Sequence, residues 1–325
     1  MSFAQQDAQY SHYMFNTVYY NPGFVGLDGN ISFTGIFRKQ WLGYQPTEYQ
    51  GGSPTSVILS VNSVLPFFKK NSGAGFYFNQ DVAGPLSTTQ IVLNGSYHLK
   101  LGQGKLGIGI KAGFQNQKIN GDWYQVVDPN DPIYQSLKNT PSGQMKPDIG
   151  LGLYYKPTSQ RYYVGVSMNH LSRAKYTYGF DSIASKMNQH MYFTGGYTIS
   201  PGTNLKITPS VFVQTDFNNV SYLFGGLVEY NSKFWAGLNF RQSFAKREES
   251  KGGKTLSNDD VVLYVGLYLL KDNRLRVGYA FDFVTSGVKA KKQTSHEIML
   301  SYSVPAPWAA PKPVIRTPRY RHEEN

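Results

Sequence analysis

Cysteine is absent from the 325-residue chain, and its absence excludes several classes of protein. A disulfide-bonded scaffold, a cysteine-ligated zinc site and a thiol nucleophile are all ruled out. Long apolar runs are absent too, since the longest, VVLYVGLYLL, covers only Val261–Leu270. A membrane helix needs about 18 or more such residues, whereas a membrane β-strand needs about 9–11. The longest run therefore has the length of a membrane strand.

Charged residues are scarce at 16% of the chain, whereas an ordinary soluble domain carries about 25%. The sequence is rich instead in aromatic residues, with 25 Tyr and 20 Phe, and in glycine, with 33. This composition favours an all-β protein in a membrane. The net charge of +12 can indicate a nucleic-acid partner. Because the Lys and Arg residues are scattered, we expect no such partner and assign them to the lumen and loops of a barrel.

Several segments alternate between an apolar face and a small or polar face, which is the period of a β-strand. In KLGIGIKAGF, Ile108 and Ile110 fall on the apolar face and Lys111 falls on the other. In LRVGYAFDF, Tyr279 and Asp282 fall on opposite faces in the same way. Since small and charged residues suit a wet lumen, we expect the bulky face to contact lipid.

About fourteen such strands are predicted, an even number as in bacterial outer-membrane barrels. They cover residues 29–39, 54–65, 73–81, 88–100, 105–118, 147–156, 161–171, 188–199, 204–216, 219–230, 232–243, 259–271, 274–285 and 293–304.

The connections between these strands alternate in length. Those after even-numbered strands are short, whereas most of those after odd-numbered strands are long, with short exceptions near 82–87 and 217–218. Tight periplasmic turns and long outer loops are typical of outer-membrane barrels. We therefore predict an all-β, transmembrane, antiparallel up-and-down β-barrel in the outer membrane, with its first strand running outward and both termini periplasmic.

Four regions follow from this pattern. We interpret them as a residual signal peptide (1–4), an N-terminal plug and turn segment (5–28), the transmembrane barrel (29–304) and a Pro-rich, basic periplasmic tail (305–325). The signal interpretation depends on Ser2-Phe3-Ala4, which fits the small-x-small pattern before a cleavage site. The 5–28 segment has a weak helical stripe and then a turn at Asn21-Pro22-Gly23, so we expect it to enter from the periplasm and pack in the barrel mouth.

Sequence motifs for catalysis and cofactor binding are weak. GQGKLG, residues 102–107, has dinucleotide-binding spacing but lies between two strand patterns, where a hairpin turn is expected. No histidine pair has metal-ligand spacing, and His170 and His190, near the loop-side strand ends, are expected to be structural. We therefore predict no catalytic, cofactor or metal residues and no enzyme. The predicted lumen cations could line an anion path or pair with acidic residues across the lumen. The cations are Lys100, Lys111, Lys206, Arg241 and Arg276, and the acids are Glu229, Asp282 and Glu297.

Three ordered motifs near the N-terminus resemble the PorP/SprF family of the type IX secretion system of Bacteroidetes. The first motif includes Gln9, Tyr10, Tyr13, Met14, Phe15 and Asn16. The second includes Asn21, Pro22 and Gly23, and the third includes Arg38, Gln40 and Trp41. The resemblance implies an outer-membrane barrel that serves protein export and surface display. It also implies two protein partners: a secreted, adhesin-type cargo with a type IX C-terminal sorting domain, which is gliding-related in some members, and periplasmic components of the apparatus.

Two functions remain open from the sequence. In the first, the barrel helps to export or anchor a secreted surface protein through its long loops, because surface loops commonly carry binding residues. The candidate cargo-contact residues are Trp123, Tyr124, Tyr134, Lys246 and Arg247. In the second, the barrel is a passive outer-membrane channel or small-solute transporter.

Overall fold

The computed structural model describes residues 7–43, 52–68, 71–119, 130, 135, 143–177, 184–245, 256–285 and 294–308. Within these ranges, fourteen antiparallel strands form a closed barrel in which the first strand pairs with the last. The barrel strands are β1 Asn30–Lys39, β2 Thr55–Leu65, β3 Ser72–Ala83, β4 Leu86–Leu101, β5 Gly104–Ile119, β6 Gln144–Pro157, β7 Tyr162–Asn169, β10 His190–Tyr197, β11 Leu205–Thr215, β12 Asn219–Tyr230, β13 Phe234–Ala245, β14 Leu256–Leu269, β15 Leu275–Val284 and β16 Ser295–Pro305.

The predicted barrel and its strand number are confirmed. A separate two-stranded antiparallel sheet, β8 Lys175–Thr177 and β9 Ala184–Lys186, lies within the connection predicted as a loop. Strand β7 ends two residues earlier than predicted, and His170, which follows it, has a φ of 58°. This left-handed backbone conformation differs from that of a β-strand, so the chain leaves the sheet at His170.

The side-chain period places apolar residues on the outer wall. Ile110, Val265 and Ile298 are each more than half exposed on the barrel surface, whereas Lys111, the residue after Ile110, points inward and is buried. In a barrel, successive residues of a strand alternate between lumen and exterior. The outer surface is therefore an apolar band suited to lipid, as the alternation predicted.

The two ends of the barrel differ in the length of their connections. At the long-connection end lie 40–54, 120–143, 170–189, 246–255 and 285–294, together with two short links at 84–85 and 216–218. At the opposite, short-turn end lie 66–71, 102–103, 158–161, 198–204, 231–233 and 270–274.

Residues 7–28, here called the plug, fill the lumen. The plug contains a 3₁₀ turn at Tyr13–Phe15, one helix, α1 Thr17–Tyr20, and a second 3₁₀ turn at Pro22–Phe24. None of the helices in the described residues is long and apolar enough to span a membrane. Packing of an N-terminal segment inside the barrel is thus confirmed.

The direction of the plug differs from the sequence-based expectation. Asp7 contacts His170 at the long-connection end, and Asp28 pairs with Lys156 at the short-turn end. The plug therefore crosses the lumen instead of occupying one mouth, because it must meet β1 at the short-turn end. Trp308 also lies at that end, where its indole N–H donates to the Val64 carbonyl at 2.7 Å. The first and last described residues thus lie at opposite ends of the barrel, and the termini themselves lie outside the described residues.

The C-terminal boundary lies close to the predicted one. Pro305 is the last residue of β16 and faces Asn30, the first residue of β1. The Ala306 N–H then donates to the Gly29 carbonyl at 3.2 Å. Most of the predicted tail, 309–325, and the predicted signal stub lie outside the described residues.

Candidate functional site

The plug is held to the barrel wall at its turn by one amide side chain. Asn21 Oδ1 accepts a hydrogen bond from the Gly23 N–H at 2.9 Å, which caps the turn. Asn21 Nδ2 donates to the Leu153 carbonyl at 2.9 Å and to the Val166 carbonyl at 3.2 Å. A single buried asparagine therefore shapes the plug and joins it to β6 and β7, which satisfies backbone groups that water cannot reach.

Glycines on the inner wall let the plug backbone approach the sheet. A Cβ atom at Gly107 would overlap the Gly23 carbonyl oxygen, and one at Gly109 would overlap Pro22. Gly73 is likewise covered by the Val25 carbonyl. The small residues on the lumen face thus make room for the plug, since any side chain there would force its backbone away from the wall.

Aromatic side chains fill the middle of the lumen. Tyr20 and Tyr13 each pack on Phe212 of β11 with ring centroids 4.8 Å apart. Tyr19 packs edge-on against Tyr77 of β3 at 5.2 Å. These rings are buried, and burial raises the pKa of the Tyr20 hydroxyl above its ordinary value. Tyrosine suits this interior because its ring packs while its hydroxyl finds a polar partner, as Tyr13 does with Ser210 at 2.8 Å.

A charged cluster, here called the plug anchor, joins the plug to four strands and consists of Arg38, Arg241, Asp282 and Glu297. Glu297 accepts backbone hydrogen bonds from Ser11 at 2.8 Å and from His12 at 2.7 Å. Arg38 bridges Asp282 at 2.6 Å and Glu297 at 3.2 Å. Arg241 pairs with Asp282 at 3.0 Å.

The anchor charges are almost fully buried, with side-chain exposures of 5% or less. Burying a charge that is neither paired nor hydrogen-bonded costs on the order of several kcal/mol. The two acids receive two arginines and two plug N–H groups, so the plug completes the pairing. Removing the plug would leave Glu297 without those donors.

Two of the other predicted lumen cations, Lys111 and Arg276, have side-chain partners in the described residues. Lys111 Nζ donates to the Tyr77 hydroxyl at 3.0 Å, and the Arg276 guanidinium lies 5.3 Å from the ring centre of Phe15. Lys206 and Lys100 are exposed and are in register with Glu229 and Lys105 respectively. The contacts of Lys111, Arg241 and Arg276 therefore favour the pairing interpretation, whereas Lys100 and Lys206 do not distinguish it from an anion path.

A second polar group, here called the mouth cluster, lies where the plug begins and comprises Asp7, Asp148, His170, His190 and Tyr192. His170 Nε2 lies 3.0 Å from both Asp7 carboxylate oxygens. The Asp7 N–H donates to His190 Nε2 at 3.3 Å, and the Tyr192 hydroxyl donates to Asp7 Oδ2 at 2.5 Å. His170 Nδ1 lies 2.9 Å from Asp148 Oδ2.

The mouth cluster shifts the protonation of its members. Burial raises the pKa of the Asp7 carboxyl, but the charges of His170 and His190 outweigh burial and hold that pKa well below its usual range. Burial lowers the pKa of His170, but Asp7 and Asp148 outweigh it and raise that pKa to about 9. Asp7, His170 and His190 also present three potential metal-ligand atoms within 4.8 Å of one another.

The predicted motif residues fall into different environments. Tyr10, Tyr13, Asn16, Asn21, Pro22, Gly23 and Arg38 are buried, and Gln9, Met14 and Phe15 are half-buried. Gln40 and Trp41 follow β1 at the long-connection end, where the Trp41 N–H donates to Ser295 Oγ at 3.2 Å. The candidate cargo-contact residues, Trp123, Tyr124, Tyr134, Lys246 and Arg247, lie outside the described residues.

Sequence reasoning missed the roles of several residues that hold the plug. Asp282 and Glu297 were recognised as lumen acids, because each lies on the inward face of a strand whose other residues are mostly apolar or small. Asp7 and the two histidines gave no such signal, because Asp7 and His170 are 163 positions apart in the chain.

Comparison with known proteins places the chain among secretion-system barrels. The family model described as type IX secretion system membrane protein PorP/SprF matches residues 2–302. No curated protein matches the chain. Among solved structures, the toluene transporter TbuX of Ralstonia pickettii is similar, with a TM-score of 0.50, 11% identity and coverage of 87% of this chain and 91% of that one.

Two further barrels are more distant. A FadL homologue of Pseudomonas aeruginosa has a TM-score of 0.45 and 11% identity, with coverage of 85% of this chain and 89% of that one. Omp33 of Acinetobacter baumannii has a TM-score of 0.44 and 10% identity, with coverage of 86% of this chain and 100% of that one. At such identities the TbuX likeness shows the fold alone, which is that of an outer-membrane barrel.

Proposed function

The chain belongs to the PorP/SprF family of type IX secretion system membrane proteins, and we propose that it is a non-enzymatic barrel that helps to export or anchor one secreted surface protein. The outer membrane is its location, as the barrel fold and the family indicate. The cargo is a protein with a type IX C-terminal sorting domain, of the adhesin type.

The observation that carries the proposal is the filled lumen. The plug passes from Asp7 at one end to Asp28 at the other, and it is bound along the way at Glu297 and at Asn21. A conducting barrel needs a wet path through its lumen, whereas here buried aromatic and amide side chains occupy that space. The closed lumen supports a role exercised at the ends of the barrel instead of through it.

The long-connection end is the cargo side of this proposal. Long loops face outward in bacterial outer-membrane barrels, and connections positioned by a rigid scaffold commonly carry binding residues. The contact residues proposed from the sequence are Trp123, Tyr124, Tyr134, Lys246 and Arg247. The short-turn end then faces the periplasm, where the basic tail after Trp308 meets components of the secretion apparatus.

Surface display of secreted proteins tests the proposal. In the native host, deletion of the chain should remove one sorting-domain protein from the surface, measured by quantitative mass spectrometry after protease shaving of intact cells. Restoring the chain with Trp123→Ala and Tyr124→Ala should fail to restore display. The matched control removes Phe67 and Phe68, two exposed aromatics at the short-turn end, and should restore it. Unchanged display after complete deletion would contradict the proposal.

A conductance measurement distinguishes the proposed function from the channel alternative. The purified barrel in a planar bilayer should give no steady single-channel current, because the plug occupies the lumen. A variant that lacks residues 7–28 should conduct if its barrel closes. A stable open current from the intact chain would favour the passive channel instead.

A further inference from the structure

We propose that Asp7, His170 and His190 form a binding site for one zinc-like divalent metal ion, which fastens the start of the plug to the barrel wall. The three residues come from separate elements. Asp7 begins the described part of the plug, His170 follows β7 and His190 begins β10. The site lies at the long-connection end.

The donor atoms already lie near the spacing that a small metal ion requires. Zinc bonds to histidine nitrogen and carboxylate oxygen are about 2.0–2.1 Å long, so two donors of a tetrahedral site lie about 3.3 Å apart. Asp7 Oδ1 and His170 Nε2 are 3.0 Å apart, and the donor atoms of the three residues lie within 4.8 Å of one another. His190 Nε2 now accepts from the Asp7 N–H at 3.3 Å, so completing the set requires the His190 ring to exchange this hydrogen bond for the metal ion. Binding displaces the proton between His170 Nε2 and Asp7, which passes to solvent.

The second nitrogen of each histidine has an orienting partner. His170 Nδ1 lies 2.9 Å from Asp148 Oδ2, and His190 Nδ1 lies 3.2 Å from the Asn188 carbonyl. Histidines that bind metals usually donate their other N–H to a carboxylate or a backbone carbonyl, which fixes the ring and its tautomer. His170 therefore aims Nε2 at the Asp7 carboxylate, whereas His190 aims Nε2 at the Asp7 backbone N–H. Asp148, in close contact with His170 Nδ1, is a positioning residue of the site.

The surroundings of the mouth cluster leave a path by which a metal ion can enter. A cavity of about 90 Å³ borders Asp7, His170 and His190, and the Asp7 side chain is 11% exposed. The cavity is lined by further polar side chains, among them Gln115, Gln117 and Asn188. It leaves room for a water molecule as the fourth ligand.

The donor set favours one class of ion. Two imidazoles with one carboxylate suit zinc and related transition metals, whereas calcium and magnesium prefer all-oxygen sites. The Tyr192 hydroxyl, hydrogen-bonded to Asp7 Oδ2, orients the carboxylate. An ion here would join a plug residue to two parts of the wall, so metal binding should hold the plug in place.

Zinc binding to the purified full chain tests the proposal. The protein is prepared without a polyhistidine tag, stripped with a chelator in detergent and titrated with zinc chloride, and bound metal is measured after desalting. We expect about one zinc per chain, a higher melting temperature with zinc, and no such rise with magnesium or calcium. Asp7→Asn and His190→Gln should abolish the bound zinc and the shift. Asp148→Asn should weaken affinity by roughly 10–100-fold, as loss of an orienting partner does.

His296→Gln is the matched control, because His296 lies at the same end but contacts Tyr279 on the outer wall. It should bind zinc as the unaltered chain does. Heat-modified gel migration checks that each variant folds. If His190→Gln does not fold, Asp7→Asn still tests the site, because it leaves the sequence of the barrel wall unchanged. An unaltered chain that retains no zinc would overturn the proposal, and so would equal zinc loss in His296→Gln. A plug loosened by Asp7→Asn without any zinc binding would identify the cluster as a hydrogen-bonded clasp only.

Discussion

Glu297→Gln is the sharpest test of how the plug is held. The substitution keeps the size of the side chain but replaces one of two carboxylate oxygens with an amide. Glu297 Oε2 accepts from Ser11 N at 2.8 Å and Arg38 Nη1 at 3.2 Å. Glu297 Oε1 accepts from His12 N at 2.7 Å and lies 2.7 Å from His12 Nδ1. If the amide nitrogen replaces Oε2, both Ser11 N–H and Arg38 meet an NH₂ group. If it replaces Oε1, the His12 N–H does, because the imidazole can accept at Nδ1 in its other tautomer.

The magnitude follows from those lost bonds. A buried donor left without an acceptor costs about 1–3 kcal/mol, so one or two such donors should lower the free energy of unfolding by about 1–6 kcal/mol. Urea titration in lipid vesicles measures this change. Thiol labelling of Tyr13→Cys, in a chain that otherwise has no cysteine, reports on the plug itself. Tyr13 is 2% exposed, so the thiol should resist a water-soluble reagent until Glu297→Gln loosens the plug.

Glu229→Gln is the matched control, since Glu229 lies at the short-turn end and accepts from the Tyr268 hydroxyl of the wall. The glutamine oxygen can still accept that single bond, so we expect a change within about 1 kcal/mol and no faster labelling. Equal effects of Glu297→Gln and Glu229→Gln on unfolding and on labelling would refute the anchoring role of Glu297.

Three further changes probe the wall, the plug contact and the tail. Val265→Arg places a charge on the exposed outer face and should destabilise the barrel by about 2–4 kcal/mol in urea titration, whereas Val304→Arg near the strand end should cost about 0–1 kcal/mol. Gly109→Ala, which forces Pro22 off the wall, should cost about 1–3 kcal/mol, whereas Gly95→Ala meets open space and should stay within about 0.5 kcal/mol. Deletion of 309–325 should leave a heat-modifiable barrel on gels, because the strand ladder ends at Pro305; loss of heat modifiability would contradict this.

The barrel was predictable because its signal is local. Residues such as Ile110 and Lys111 differ in chemistry along one strand, so the period alone assigns one to lipid and the other to the lumen. Short turns at one end and longer connections at the other then set the topology. The structure has the predicted fourteen strands, and the links at 84–85 and 216–218 are the short exceptions at the long-connection end.

The direction of the plug and the residues that hold it were less accessible. The stripe at Tyr10 and Tyr13 predicted a packed helical segment, but helical periodicity has no information on which end of a lumen it enters. The polar contacts depend on closure of the barrel, which brings Asp7 to His170 across 163 positions. Pairings of that kind have no characteristic spacing in the sequence, whereas the inward-facing acids Asp282 and Glu297 could at least be recognised as needing partners.

The plug anchor also lies where the barrel closes. Arg38 of β1 is directly opposite Glu297 of β16, so the ion pair between them crosses the seam that joins the first strand to the last. Ser11 contacts both residues, since its hydroxyl accepts from Arg38 Nη1 at 2.5 Å and its N–H donates to Glu297 at 2.8 Å. The seam joins the two paired strands that are farthest apart in the sequence, so its closure costs the most loop entropy. A plug that binds both sides of this seam therefore stabilises the closed barrel as well as filling it, which gives the N-terminal segment a structural reason to carry its polar residues.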